Sequence, residues 1–223
     1  LGFARIPEAP TSGINGTLDQ IAALRWVQEN IENFGGDPGN VTIAGESAGA
    51  FSVATIMAMK ESAGLFHKAI AQSGAGHHVI AQQEAHSAGK MFMEALSATS
   101  LEEAQRKDIQ EVLVAQKHVE DNAHKVMTKG QLPFYPSITN GYIDDHPIAL
   151  FYKGASSNIP VLTGTNTDET TLWGTNQIPE HKLEKWLKNY VTEPERFISA
   201  VKKDRGDISA GEIALAISTD HTF

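Results

Sequence analysis

The feature that most constrains the fold of this chain is a G-x-S-x-G motif at residues 45–49, because of the segments on either side of it. A β-branched run precedes the motif at residues 41–44, and small and apolar residues suited to a helix follow it as far as Met59. This order predicts a strand, a sharp turn and a helix, with the serine hydroxyl exposed at the turn. The flanking strand and helix argue against a chance match in a loop. We therefore expect a strained backbone at Ser47.

The other residues of the motif have physical roles in the same arrangement. Gly45 and Gly49 would avoid side-chain collisions where the strand and the helix nearly touch. The positive end of the helix would point at the serine, and the backbone N–H of Ala48 would be placed to stabilise an oxyanion. The motif thus predicts Ser47 as a nucleophile and Ala48 as an oxyanion-hole donor.

Composition excludes several classes of partner. The chain has 18 Lys and Arg against 27 Asp and Glu, a formal net charge of −9, and its basic residues do not cluster. We therefore expect no nucleic-acid partner. No apolar run approaches the ~20 residues of a membrane span, so we expect no membrane partner. The chain has no cysteine, which excludes disulfides and thiol chemistry and favours a reducing cytoplasm.

The remaining pattern is that of an α/β protein, in which strands alternate with helices. Apolar runs predict buried strands at residues 41–44, 66–72 and 159–163. The first two strands should be parallel, because a helix joins them. An amphipathic helix is expected at residues 18–34, begun by a capping box of Thr17 and Gln20 and ended by a Gly-Gly pair. Further helices are expected within residues 82–130, at 147–152 and after Pro179.

We expect residues 1–223 to form one partial α/β domain with three regions. Residues 1–80 would hold the nucleophile turn within a strand-helix-strand unit. Residues 81–155 would form a mainly helical insertion. Residues 156–223 would hold the third strand, which carries a candidate acid, and the C-terminal helices.

A serine nucleophile needs a base, and the base needs an acid that orients it. Where this motif carries a catalytic serine, the acid follows the end of a later strand. The turn after the third predicted strand, residues 164–169, ends in Asp168 and Glu169. Chemistry alone does not choose between these two carboxylates, and a solvated acidic turn would look the same.

Several segments are similar to one known family, most densely over residues 16–75. They are Leu18-Asp19-Gln20, Ala23-Leu24-Arg25-Trp26-Val27, Asn30-Ile31, Phe34-Gly35-Gly36-Asp37-Pro38, Gly45-Glu46-Ser47-Ala48-Gly49, Gln72-Ser73-Gly74 and Gly164-Thr165-Asn166-Thr167-Asp168-Glu169. In these segments the chain resembles the type-B carboxylesterases, which include bacterial para-nitrobenzyl esterases and the cholinesterases. The resemblance implies an α/β-hydrolase fold and hydrolysis of small-molecule carboxylic esters, without a cofactor or a metal.

The resemblance also implies a role for individual residues. Ser47 falls on the acyl-accepting nucleophile, Ala48 on an oxyanion-hole donor and Glu169 on the triad acid. Ser73 resembles a family serine that supports the acid without reacting itself. Thr170 stands where the family often has a glycine, which is a departure from the pattern.

Two parts of the family's machinery have no counterpart in this sequence. The glycine-rich oxyanion loop of such enzymes lies upstream of the first residue, and their catalytic histidine lies well downstream of the acid. Only 54 residues follow Glu169, and their histidines are His181 and His221. The resemblance places His221 in a helix before the missing histidine. We therefore expect the central part of a longer enzyme, which is inactive without the remainder of the parent chain.

The alternative function is an esterase-like binding or adhesion module without catalysis. Such modules frequently lose the nucleophilic serine, so the retention of Ser47 and Glu169 argues against this alternative.

Two groups of histidines leave a choice open. His77 and His78 follow the second strand, where they could be polar residues of a loop or line a substrate gorge. The histidines and carboxylates of residues 118–124 could suggest a metal site, but their spacing fits no zinc pattern, and a solvated helical face is preferred.

Overall fold

Three strands form the sheet of the computed structural model, which describes residues 2–6, 8–74, 76–128 and 131–222 and only the backbone of Asn176. They are β1 (Thr42–Glu46), β2 (Lys68–Gln72) and β3 (Val161–Gly164), and β2 lies between the other two. The N–H of Ala69 donates to the carbonyl of Pro160. Four residues further along both chains, the N–H of Ser73 donates to the carbonyl of Gly164. Because both partners advance together, the two strands are parallel.

The predicted α/β class and the positions of its three strands are confirmed, with bounds shifted by at most two residues. The predicted burial of the third strand is wrong, because every residue of β3 is exposed at the edge of the sheet. The helices lie before, between and after the strands. They are α1 (Asn15–Asn30), α2 (Ala48–Ala58), α3 (Gln82–Ala95), α4 (Leu101–Gln105), α5 (Ile109–Asn122), α6 (Pro147–Tyr152), α7 (Glu180–Leu187), α8 (Pro194–Arg205) and α9 (Ala210–Thr222). The predicted helix at 147–152 is confirmed as α6, and the other predicted helical regions contain α3–α5 and α7–α9. Along the described residues, no helix is both long enough and apolar enough to cross a membrane.

The predicted capping box at the start of α1 is wrong. The helix begins at Asn15, and its N-cap residue, Ile14, makes no side-chain cap. Thr17 therefore lies within the first turn, where it is fully buried and its hydroxyl has no hydrogen-bond partner among the described residues. The carbonyl of Gly2 instead accepts the N–H of Gly16 at 3.0 Å. The preceding chain thus satisfies a first-turn N–H that the sequence pattern assigned to a side chain.

The predicted end of this helix is confirmed in its chemistry. After Asn30 the chain continues as a 3-10 turn, Ile31–Phe34, so the helical segment reaches the expected residue. Gly35 then adopts a left-handed conformation with φ 81°, and its N–H donates back to the turn. A residue with a side chain would be strained there, which explains why glycine stops the helix.

The chain divides into two compact units. The first unit comprises Leu1–Ala71 and Ala75–Leu162, and the second comprises Gln72–Gly74 and Thr163–Phe223. The division falls within β2 and β3, so their last residues belong to the second unit. The expectation of one partial domain over residues 1–223 stays a prediction.

The first unit has two apolar cores. In one core, α1 and α2 pack with the strands through side chains such as Ile21, Val53 and Ile43. In the other, α3 and α5 pack together through Phe92, Val119 and their neighbours. The segment expected as a helical insertion therefore has a core of its own, which lies within the first unit.

The second unit has a smaller core. Buried residues of α7 and α9 form it, among them Leu187 and Ile213, and partly buried residues of α8 surround them. Helix α9 is rich in apolar residues, and eight of its thirteen residues are buried. It is therefore the most firmly embedded element of the second unit.

Candidate active site

The G-x-S-x-G motif forms the turn that the sequence predicts. Strand β1 ends at Glu46 and helix α2 begins at Ala48, so Ser47 is the single residue between them. The backbone of Ser47 has φ 52° and ψ −118°, a conformation that residues with a side chain rarely adopt. The serine is half-buried and so keeps contact with solvent. The expected strained backbone at the candidate nucleophile is therefore present.

One of the two motif glycines is required by a close backbone approach. A Cβ atom on Gly45 would lie 2.2 Å from the carbonyl carbon of Gly49 and 2.3 Å from its oxygen, so no side chain fits there. A Cβ atom on Gly49 would meet no described atom within 4 Å. The expectation that Gly49 also avoids a side-chain collision is therefore wrong. Its backbone is the surface that Gly45 approaches.

The start of α2 leaves backbone donors next to the serine. No side chain caps this helix end. The carbonyl of Ser47 accepts the N–H of Phe51 at 3.0 Å, which closes the first helical turn at the candidate nucleophile. The first N–H groups of a helix have no partner within it, and exposed Ala48 carries the first of them. The positive helix end and this N–H suit a negative charge that develops beside Ser47.

The structure distinguishes the two adjacent carboxylates that sequence chemistry left open. Glu169 begins a 3-10 turn, Glu169–Trp173, shortly after β3 and is half-buried. Its Oε1 accepts the backbone N–H of Asn166 at 2.7 Å, and its Oε2 accepts the side-chain amide of Asn166 at 3.2 Å. Asp168 is exposed, and no described residue hydrogen-bonds to its carboxylate. Glu169 is therefore the carboxylate that this turn holds in place.

The hydrogen bonds also set the charge of Glu169. Burial alone would raise the pKa of its carboxyl, but bonds from the Ser73 hydroxyl and from the backbone and side chain of Asn166 outweigh burial. Together they lower the pKa below its ordinary value, so the group is a carboxylate at neutral pH. A charged acid is the form that orients and stabilises a protonated histidine.

Ser73 occupies the position expected of a supporting residue. It follows the last residue of β2, is buried, and has φ 52°, the same value as Ser47. Its hydroxyl hydrogen-bonds to Glu169, and its N–H donates to the carbonyl of Gly164 at 2.8 Å. A serine buried against the acid in this way can orient the carboxylate, as the resemblance implies.

Asn166 is a site residue that the sequence interpretation missed. The carboxylate of Glu169 reaches back three residues to the Asn166 N–H, the same spacing that a glutamate bridges in a capping box, although the 3-10 turn here begins only at Glu169. The signal was present in the sequence as an Asn-x-x-Glu spacing, immediately after a predicted strand. Interpreted as a cap, this spacing would have favoured Glu169 over Asp168 without any resemblance.

The comparison with known proteins decides the family. The sequence model of the carboxylesterase family matches residues 1–213. The chain belongs to the carboxylesterase family. The α/β-hydrolase fold of these enzymes is therefore the fold to which its sheet and flanking helices belong.

Individual carboxylesterases agree with the family match. The chain is 38% identical over 171 residues to the para-nitrobenzyl esterase of Bacillus subtilis (strain 168), across 76% of this chain and 34% of that protein. It is 35% identical over 185 residues to carboxylesterase 4A of Bos taurus, across 76% and 32%. The crystal structure of Geobacillus stearothermophilus carboxylesterase EST55 at pH 6.2 matches with a TM-score of 0.77 and 32% identity, across 95% of this chain and 44% of that one. The chain thus spans about a third of the length of these curated relatives.

In this carboxylesterase-family chain, two histidines lie against the nucleophile helix. The ring of His78 stacks on Phe51 with 3.6 Å between centroids, and Tyr135 meets His78 edge-on at 5.5 Å. Burial, and secondarily the charge of His77, lower the pKa of His78 to about 4. His78 is therefore neutral at pH 7, and with so low a pKa it is too weak a proton acceptor to serve as a general base there. That these histidines line a substrate gorge stays a prediction.

The two histidines that follow Glu169 lie in helices of the second unit. His181 is exposed in the first turn of α7. His221 lies in α9, as the resemblance implies, and meets the ring of Tyr190 edge-on at 5.1 Å. The polar residues of 118–124 form an exposed face on and after α5, where Asp121 pairs with Lys117. In the part of the chain that the structure describes, no group of three His, Asp or Glu could hold a metal ion.

Proposed function

We propose that the protein containing this segment hydrolyses carboxylic esters through an acyl-enzyme on Ser47. The observation that carries the proposal is the strained turn at Ser47, held between β1 and the uncapped start of α2. A serine in this conformation presents its hydroxyl and lies beside a backbone N–H donor. The membership of the carboxylesterase family supports the same reaction.

The proposed reaction has two halves. A histidine base takes the proton of Ser47 as its oxygen attacks the ester carbonyl, and the Ala48 N–H helps to hold the resulting oxyanion. The base then returns the proton to the alcohol, which leaves the acyl group on Ser47. Water, activated by the same base, attacks the acyl-enzyme and releases the carboxylic acid. Glu169 acts as the triad acid that orients and charge-balances the base.

We propose that the base and further oxyanion donors come from the remainder of the parent chain. Burial lowers the pKa of His78 to about 4, so its ring is a weak base at pH 7. The resemblance places His221 before the family histidine rather than on it. The chain also covers about a third of the length of its curated relatives. Neither the first nor the second unit, taken by itself, contains all parts of the proposed machinery.

Hydrolysis of nitrophenyl esters tests the proposal. The intact protein should turn over these esters, and its Ser47→Ala variant should not. The isolated 223-residue chain should show only slow turnover, because its base and most oxyanion donors are missing. Fast turnover by the isolated chain that depends on Ser47 would contradict the missing base and would make His221 the candidate. An inactive intact protein would favour a non-catalytic binding or adhesion module.

A further inference from the structure

A buried pair of hydroxyl groups lies directly behind Glu169. Thr170 and Ser218 are each only 3% exposed, and their side-chain oxygens hydrogen-bond to each other. Thr170 belongs to the turn that begins at Glu169, whereas Ser218 belongs to helix α9, 48 residues further along the chain. Both residues lie in the second unit. The pair therefore connects the turn that carries the acid to the most embedded helix of its unit.

The direction of this hydrogen bond follows from the other partner of Ser218. The Ser218 hydroxyl donates to the carbonyl of Leu215, one turn earlier in α9, at 3.2 Å. Because a hydroxyl has a single proton, the Ser218 oxygen must accept from Thr170. The Thr170 hydroxyl thus donates to the Ser218 oxygen. Both hydroxyls are buried away from water, and each has a hydrogen-bond partner within the protein.

The large apolar side chains of this turn are mostly exposed. Its two large apolar side chains, Leu172 and Trp173, are 85% and 61% exposed, so they do not bury the turn in the core of the second unit. The residues of β3 before the turn are exposed as well. Thr170 is the buried side chain of this turn. Its bond to Ser218 is therefore a buried polar contact between the turn and α9.

We propose that Thr170 and Ser218 are positioning residues that hold the Glu169 carboxylate in the orientation needed by its catalytic partner. The proposal rests on the proposed function only in taking Glu169 as the triad acid. It also accounts for Thr170 at a position where the family often has glycine, since a glycine has no hydroxyl to donate. The Thr170–Ser218 hydrogen bond would thus be a feature of this chain that a relative with glycine at this position lacks.

A first experiment measures the orientation without any activity. In the 223-residue chain, selective carbon-13 labelling of glutamate and a pH titration followed by NMR report the pKa of the Glu169 carboxyl. Thr170→Val and Ser218→Ala should each raise that pKa toward its ordinary value, because the Ser73 and Asn166 donors lose their alignment. Thr170→Ser, which keeps the hydroxyl, should restore the low pKa. An unchanged pKa in folded Thr170→Val would overturn the proposal.

Helix α9 supplies a matched control. Thr219 is the next residue after Ser218 and is similarly buried, but its hydroxyl has no partner among the described residues. Thr219→Val should leave the pKa of Glu169 unchanged. If Thr170→Val does not fold, the double variant Thr170→Val with Ser218→Ala removes both buried hydroxyls together. A folded double variant should still show the raised pKa, and a low pKa there would equally overturn the proposal.

A second experiment uses the intact protein. Thr170→Val should lower kcat about tenfold for nitrophenyl esters while KM changes little, a loss of about 1.4 kcal/mol in transition-state stabilisation. Thr170→Ser should recover most of kcat. If Glu169→Gln leaves kcat unchanged, the assignment of Glu169 fails while the NMR result still stands. If Glu169→Gln lowers kcat but Thr170→Val changes neither kcat nor the pKa, the positioning role fails while the assignment stands.

Discussion

The candidate nucleophile and the candidate acid are held by different physics. Ser47 lies at a turn set by backbone shape, because Gly45 approaches the backbone of Gly49 too closely for any side chain. Glu169 lies in an exposed region and is held by hydrogen bonds from the Asn166 backbone and amide and from the Ser73 hydroxyl. The first arrangement is encoded by five adjacent residues, whereas the second needs residues far apart in the sequence.

This difference teaches which changes each region tolerates. A site set by backbone sterics should fail when volume is added and should be insensitive to the loss of a polar atom. A site set by hydrogen bonds should fail when a polar atom is lost and should be less sensitive to added volume. Four sets of variants separate these responses, with expected effects that decrease from the first set to the last.

The largest effect should distinguish the two chemical roles. In the intact protein, Ser47→Ala should lower kcat by roughly 10⁶-fold, because it removes the nucleophile. Glu169→Gln should lower kcat by roughly 10⁴-fold, since the serine and its base remain. The exposed neighbour offers a matched control, and Asp168→Asn should leave kcat nearly unchanged. Steady-state hydrolysis of nitrophenyl esters measures all three. A larger loss in Asp168→Asn than in Glu169→Gln would reverse the assignment of the acid.

The next effect should show that the nucleophile turn fails when volume is added. Gly45→Ala should lower the free energy of unfolding by about 3 kcal/mol or more, because its Cβ would overlap the Gly49 backbone. Gly49→Ala should change it by no more than about 1 kcal/mol, since its Cβ meets no described atom within 4 Å. Urea denaturation measures both variants. Equal costs at the two positions would contradict a turn that is set by one close approach.

The sequence predicts the first region better than the second for the same physical reason. A strand, a tight turn and a helix within residues 41–59 form a local pattern, so the turn at Ser47 could be predicted without any long-range contact. The choice of Glu169 over Asp168 is only partly local, because Asn166 lies three residues before Glu169, whereas Ser73 lies almost a hundred residues earlier. Family resemblance supplied that choice, and the hydrogen bonds of Glu169 agree with it.

One failed prediction and one contact that the sequence analysis did not predict both involve partners outside any local pattern. The capping box at Thr17 matches in sequence, but the backbone of Gly2 arrives to satisfy the helix start. The Thr170 to Ser218 bond joins residues with no pattern in common. In both cases the partner is brought in by the tertiary fold. Sequence spacing was reliable for the strand, turn and helix of residues 41–59, where the backbone itself sets the geometry.

The third effect concerns pH, because the two regions hold titratable groups in opposite charge states. The first unit keeps His78 neutral with a pKa of about 4, below the 6.5 of an ordinary histidine. The unfolded chain therefore binds a proton before the folded chain does, and stability falls as pH drops from 6.5 to about 4. Since the ring is half-buried, we expect a loss of about 2 kcal/mol after discounting for solvent screening.

The second unit should add a separate loss at lower pH. The pKa of Glu169 is lowered on folding, so its contribution is present above the ordinary glutamate value and is lost as pH falls through the folded pKa. His78→Phe keeps a ring against Phe51 and should reduce the decline between pH 6.5 and about 4, while His86, whose pKa burial also lowers, should keep a part of it. Glu169→Gln should remove only a part of the decline at lower pH, since hydrogen bonds also lower the pKa of Glu103, Asp145 and Glu212. Urea denaturation across this range checks both, and an unchanged slope in His78→Phe would contradict the role of His78.

The smallest effect compares two buried threonine hydroxyls. Thr17, in the first unit, has no hydrogen-bond partner among the described residues, so Thr17→Val should keep the free energy of unfolding or raise it slightly. Thr170, in the second unit, is hydrogen-bonded, so Thr170→Val should lower it by about 1 kcal/mol by leaving Ser218 without its donor. Thermal and urea denaturation measure both variants. A cost at Thr17 as large as that at Thr170 would show that the first region also depends on polar contacts.

The central claim is that Ser47 is an activated nucleophile, and covalent labelling tests it most directly. The intact protein is treated with a fluorophosphonate, digested, and analysed by mass spectrometry to locate the adduct. We predict one phosphonyl group on the peptide that contains Ser47, formed rapidly and absent from the Ser47→Ala variant. An intact protein that remains unlabelled, or that carries the adduct on another serine such as Ser73, would contradict the account.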